Sequence, residues 1–209
     1  MTFGLALILV VLFGYLSNWL NWRFLNHRIV RLSYYVGAFV HEGSHALVCL
    51  LTGARIKEFT ALSSEPHVTH GKSKIPLIGG SLISIAPLFG GLFFLWLANR
   101  YLPGAGFSFP SGTTGWDGPL TDAIRVLAQL RPLEWQSWVM ILLFLNVGAM
   151  IGPSIQDMRN MWPMLIVLCF VPSPLLVGLC LTAVSLIVVN ILIQITLVTL
   201  GKIYTALFA

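Results

Sequence analysis

Three ionisable residues, His41, Glu42 and His45, stand in the otherwise apolar run Tyr34 to Leu51, YYVGAFVHEGSHALVCLL. Two imidazoles four residues apart fall on one face of a helix, where both can reach a single metal ion. The glutamate beside the first histidine then lies next to the metal, placed to hold a water without being a ligand. This is the HExxH pattern of zinc peptidases. Its setting sharpens the reading, because the run sits where a bilayer-spanning helix is expected. Ionisable residues inside such a helix are costly and call for a partner.

A catalytic zinc takes three protein ligands and keeps one position open for water. HExxH supplies two, so the third must come from elsewhere. Cys49, Cys169 and Cys180 all lie in apolar runs; an odd number without CxxC spacing reads as packing rather than as a disulfide or a zinc site. Of the acids, Glu58, Glu65, Asp117 and Asp122 belong to polar connections, and Glu134 precedes a helix beside Trp135 at an interface. Asp157 is flanked on both sides by apolar sequence and follows a Gly152-Pro153 break, which frees backbone to shape a site. It is the favoured third ligand; the competing reading is an interfacial carboxylate paired with Arg159. His67 and His70 are a possible second metal pair, but at i, i+3 in a hairpin they do not share a face, which favours a surface role.

The elements that must position these residues follow from hydropathy and breakers. Thr2 to Leu20 is long enough to span the hydrocarbon core, with Trp19 and Trp22 at its interfacial end. It lacks the basic start and the small-residue cleavage site of a signal peptide. Asn21 to Ser33 reads as a short basic loop with Arg23, Arg28 and Arg31, and His27 as a solvated loop residue. A second helix runs from Ser33 to Leu51, which places His41 about 12 Å and His45 about 18 Å from its start; Thr52-Gly53 closes it as a glycine cap. Ala54 to Lys74 suggests a short hairpin at the membrane surface, turning at SSEP. The third helix, Ile75 to Ala98, carries Pro87 and two Gly-Gly pairs, residues that allow close packing or local breaks. Asn99 to Gln136 is a turn-rich loop, PGAGFSFPSGTTGWDGP, followed by an amphipathic helix capped by Thr121 and lying on the membrane. Ser137 to Ile151 is the fourth helix, Met158 to Val171 a half-length segment, and Leu175 to Leu200 a final span. Asn190 and Gln194 share one face of that span and read as interhelical hydrogen-bonding groups.

The expected fold is therefore an all-α polytopic membrane protein with about five to six transmembrane helices and a short β-hairpin. Of 209 residues, 57% are apolar and only 9% charged, against about 25% charged in a soluble domain. Mean hydropathy is +0.87. The net charge of +5 is scattered through loops; it suits anionic lipid, and no basic run or aromatic–basic interleaving points to nucleic acid. The chain reads as one membrane domain over 1–209: an N-terminal helix and basic loop at 1–33, a core at 34–171 and a C-terminal helix at 172–209.

With these residues assembled, the chain resembles the site-2 protease family of intramembrane zinc metalloproteases. The resemblance rests on VHEGSHAL in a membrane helix, the polar hairpin after it, IAPLFGG in the next helix and an Asp in a later broken helix. It covers residues 34–171. It implies a three-helix catalytic core in which His41, His45 and Asp157 hold one Zn2+ and Glu42 acts on the water, with membrane proteins as substrates, residues 52–74 in the cytoplasm and a multi-pass location in a bacterial cell membrane. The chain departs from the family's pattern in two places. Asp157 is followed by Met158 rather than Gly, and the family's Ala-Gly-Pro appears as Ile85-Ala86-Pro87. There is no PDZ or CBS domain. Two rival readings stand beside it: a prenyl-protein-protease type of membrane zincin using Glu134 as third ligand, and a catalytically inactive, metal-binding scaffold or assembly factor. A di-iron desaturase-like enzyme needs more than the five histidines present.

Overall fold

The computed structural model describes residues 1–24, 27–63, 66–76, 78–102, 108–110, 112, 117–168, 170 and 172–208. The chain folds as α1 (Phe3–Phe24), α2 (His27–Thr52), β1 (Ile56–Thr60), β2 (His67–His70), α3 (Gly79–Tyr101), α4 (Gly118–Ala128), α5 (Trp135–Met150), α6 (Ile155–Leu168) and α7 (Pro174–Phe208). The all-α architecture with one short antiparallel hairpin is as expected. Three described helices, α1, α3 and α7, are each long and apolar enough to cross a membrane; α5 and α6, bent by 49° at their break, make a fourth span if taken together. The expected count was five to six. The difference lies in α2, whose polar residues interrupt its apolar run, and in α6, which continues α5. α2 instead packs against α3 and α5, where His41, Ser44 and His45 are buried.

The core is built around α7. Its residues Cys180, Leu181, Ala183, Val184, Leu186, Ile187 and Val189 are all essentially inaccessible, and α1, α4 and α5 pack against it. A helix apolar on every side is read as buried or membrane-spanning. Between α1 and α7 the packing includes a polar knot: Asn190 donates to Ser17 Oγ at 2.7 Å, and Gln194 donates to the same oxygen at 3.2 Å. These are the interhelical hydrogen bonds expected of that pair. Where helices come closest, small residues line the seam. A Cβ on Gly37 would strike the carbonyl of Asn146, one on Gly90 would strike Ser44, and Gly14 faces the backbone of Gly152. Without a hydrophobic force between lipid-bathed helices, such close backbone contact carries the association.

Several local expectations shift. The basic loop at 21–33 is almost entirely helical: α1 runs to Phe24 and α2 already begins at His27, because Arg and Leu are good helix formers and only residues 25 and 26 intervene. His27 therefore opens a helix instead of sitting in a loop. The α4 cap is Asp117, not Thr121, with a proline in the first turn, where its missing N–H goes unmissed. α4 docks on α7 through Ala123 and Val126 while Leu120 and Ile124 stay exposed. α2 ends as expected. Gly53 adopts φ +69, and Ala54 N–H returns to Cys49 O at 2.8 Å, a Schellman closure that only glycine enters without strain. The hairpin packs along α2. Cys49 and Cys180 are buried thiols; Cys169, Glu65 and most of the 103–119 loop lie outside the described residues.

Candidate metal centre

Two elements carry the ligands. α2 carries His41 and His45 one turn apart, with their rings 4.9 Å between centroids. The start of α6 carries Asp157. His45 Nε2 lies 3.3 Å from Asp157 Oδ1, and His41 Nε2 lies 3.6 Å from Asp157 Oδ2. All three residues are buried. Their donor atoms fall within 4.8 Å of one another, the sole such His/Cys/Asp/Glu group among the described residues. The spacing suits a small ion. A tetrahedral centre with bonds of about 2.1 Å has ligand–ligand edges of about 3.4 Å, so an ion fits between the nitrogens and the carboxylate without moving them far.

Each ligand side chain is held from behind. His41 Nδ1 meets the carbonyl of Met150 at 2.8 Å, and His45 Nδ1 meets the carbonyl of Ile83 at 2.7 Å. A carbonyl only accepts, so both Nδ1 atoms carry hydrogen, and both Nε2 atoms face the Asp157 carboxylate. Anchoring of this kind fixes the ring and its tautomer for metal binding. Asp157 is fixed by the end of its own helix. Ser154 caps α6: its hydroxyl accepts from Asp157 N–H at 3.1 Å, and Asp157 Oδ2 accepts in return from Ser154 N–H at 2.8 Å and from the Ser154 hydroxyl at 2.6 Å. This is a capping box with Asp in the third position. Met150 ends α5, so its carbonyl has no helical donor and is free to meet His41; Ser154 N–H, four residues on, is engaged by Asp157.

A cavity of about 590 Å³ opens against the centre. His41 and Glu42 line it from α2, Gly14, Tyr15 and Asn18 from α1, Gly152 to Gln156 from the break between α5 and α6, and Ser63 and Pro66 from the hairpin turn. Glu42 is thus beside the histidines, faces open space and is not one of the converging donors. Across the cavity, Tyr34 donates to Asn18 Oδ1 at 3.2 Å.

The other candidates do not join. Glu134 caps the far end of α5, about 24 Å of helix away from Met150, where it pairs with Arg131 at 3.0 Å. Asp122 pairs with Arg125 on α4 at 3.0 Å. Arg159, the alternative partner weighed for Asp157, is exposed. His67 faces Glu58 across the hairpin at 3.5 Å, and His70 bonds the carbonyl of Gly71; the two do not converge on a common point. Sequence reasoning misses Ser154, although the S-x-x-D spacing before an apolar run is the signal that finds it. Nothing in the sequence singles out Asn18 or Tyr34, whose meeting depends on how α1 leans on α2.

No curated protein and no solved structure matches the chain. Residues 4–105 match the family model described as Peptidase M50B-like; the match contains His41, Glu42 and His45 and ends before Asp157. The matched segment, just under half of the chain, supports a relationship to the site-2 protease family of metallopeptidases; three or four of the described helices are apolar enough to cross a membrane, and His41, His45 and Asp157 form a group that could hold a metal ion.

Proposed function

We propose that this protein is a multi-pass intramembrane zinc protease that hydrolyses peptide bonds of membrane-embedded substrates. The observation that carries the reading is the convergence of His41 and His45 Nε2 on the Asp157 carboxylate at the wall of a cavity that Glu42 also lines. Two imidazoles and one carboxylate form a catalytic zinc set with a position left open. Zinc, when bound, supplies Lewis-acid polarisation of the scissile carbonyl and lowers the pKa of water.

The chain's own residues do the rest. His41, His45 and Asp157 hold the ion through side chains already oriented by Met150, Ile83 and Ser154. Glu42 accepts a proton from the attacking water as its oxygen bonds to the carbonyl carbon. It then delivers that proton to the departing amine nitrogen as the C–N bond breaks, so the carboxylate is regenerated. The break at Gly152-Pro153 and the hairpin turn border the cavity and give water a polar route to a buried depth. The hairpin has two strands and so presents edges to which an unwound segment can pair, as in β-augmentation. A peptide bond inside a stable helix is shielded, so preferred substrates carry helix-destabilising residues near the cut.

The test is Glu42→Gln in purified protein, with zinc content and cleavage of labelled casein measured beside wild type. The amide keeps the shape and loses the base. Zinc stays near one per chain while cleavage falls by about 10² to 10⁴. Equal cleavage by both proteins ends the protease reading, and zinc bound without cleavage by either leaves the scaffold reading in its place.

A further inference from the structure

Pro87 lies in the middle of α3, a helix of 23 residues. Proline has no N–H, so in a helix the carbonyl four residues earlier loses its donor. Here that carbonyl belongs to Ile83, and it is the one that His45 Nδ1 meets at 2.7 Å. Ile83 and His45 are both buried, so water does not substitute for either partner. The arrangement repeats what happens at the other histidine by different means. Met150 has its carbonyl available because α5 ends there, and Ser154 N–H, four residues on, is taken by Asp157. Ile83 has its carbonyl available because position 87 has no N–H to give. Both ring anchors therefore stand on carbonyls whose i+4 donor has been removed.

We infer that Pro87 is a positioning residue: by leaving the Ile83 carbonyl without a helical donor, it reserves that oxygen for His45 Nδ1–H and so fixes the ring. With an ordinary residue at 87, the restored N–H draws the Ile83 carbonyl along the axis of α3, away from α2. His45 then loses its fixed orientation and exchanges between tautomers. A helix with a proline at its centre is weaker than one without, so a proline kept only for shape and a proline kept for His45 behave differently on replacement. The inference rests on the metal-centre reading only in what Nε2 goes on to bind; the anchoring itself belongs to the metal-free protein.

The experiment is Pro87→Ala in protein labelled with 15N-histidine, studied without metal and then by chelator competition for zinc. In wild type, His41 and His45 both show a protonated Nδ1. In Pro87→Ala, the His45 signal moves toward a mixture of tautomers while that of His41, anchored on Met150, is unchanged. Zinc affinity falls about 10- to 100-fold, as for loss of an outer-shell partner, and the thermal midpoint stays level or rises. A His45 signal unchanged in Pro87→Ala overturns the assignment, as does simultaneous loss of both histidine signals, which marks general disruption of the bundle. A wild type that binds no zinc removes the protease reading, while the tautomer comparison still decides the role of Pro87.

Discussion

Asp157 has two duties that meet in one carboxylate. Oδ2 closes the capping box of α6 through Ser154, and Oδ1 is the oxygen nearest His45. The cap therefore sets the angle at which the ligand is offered. Ser154→Ala removes the hydroxyl that receives Asp157 N–H and binds Oδ2. It costs about 1 kcal/mol of helix-end stability and loosens zinc about 10- to 100-fold. Asp157→Asn replaces the anionic ligand by a neutral one and lowers zinc affinity further, whereas Glu134→Gln leaves it at the wild-type value because the Glu134 side chain pairs with Arg131 at the other end of α5. Metal competition assays on the three variants check the order. A larger loss in Glu134→Gln than in Asp157→Asn moves the third ligand to the wrong end of α5 and refutes the site as built here.

At the scale of elements, the seam between α2 and α5 is set by Gly37, whose missing side chain lets the Asn146 carbonyl approach. Gly37→Val forces the helices apart and destabilises the protein by about 1–3 kcal/mol, the usual cost of overpacking. Gly43→Ala, on the same helix with no atom of the described residues within 4 Å of its added Cβ, is tolerated and gains helix propensity. Thermal melts in detergent separate the two. Much of this architecture is legible in the sequence. The HExxH helix, the hairpin, the broken fourth helix, the Asn190–Gln194 face and the choice of Asp157 all follow from residue type, spacing and elimination. What is not legible depends on distances between elements. Pro87 reads as a loosening residue until the position of Ile83 beside His45 is known, and Ser154 reads as part of a loop until Asp157 is seen to fold back on it. The span count is less legible: α2 carries His41, Glu42 and His45 in its apolar run and does not pass by length and composition alone.

For the whole molecule, the order of the chain matters as much as its final shape. The two histidines and Asp157 are separated by more than a hundred residues, and each histidine ring leans on a different partner helix, α3 for His45 and α5 for His41. A nascent chain arrested before residue 157 has emerged takes up no zinc, and one arrested well beyond it does; metal retention by the arrested chains in membranes measures this, and early uptake would place the metal on HExxH alone. At 5–20 residues per second, roughly 6 to 22 s pass between synthesis of His45 and of Asp157. For that interval the two histidines of α2 stand without the carboxylate that faces them. The distance along the chain from ligand to ligand is thus also a waiting time.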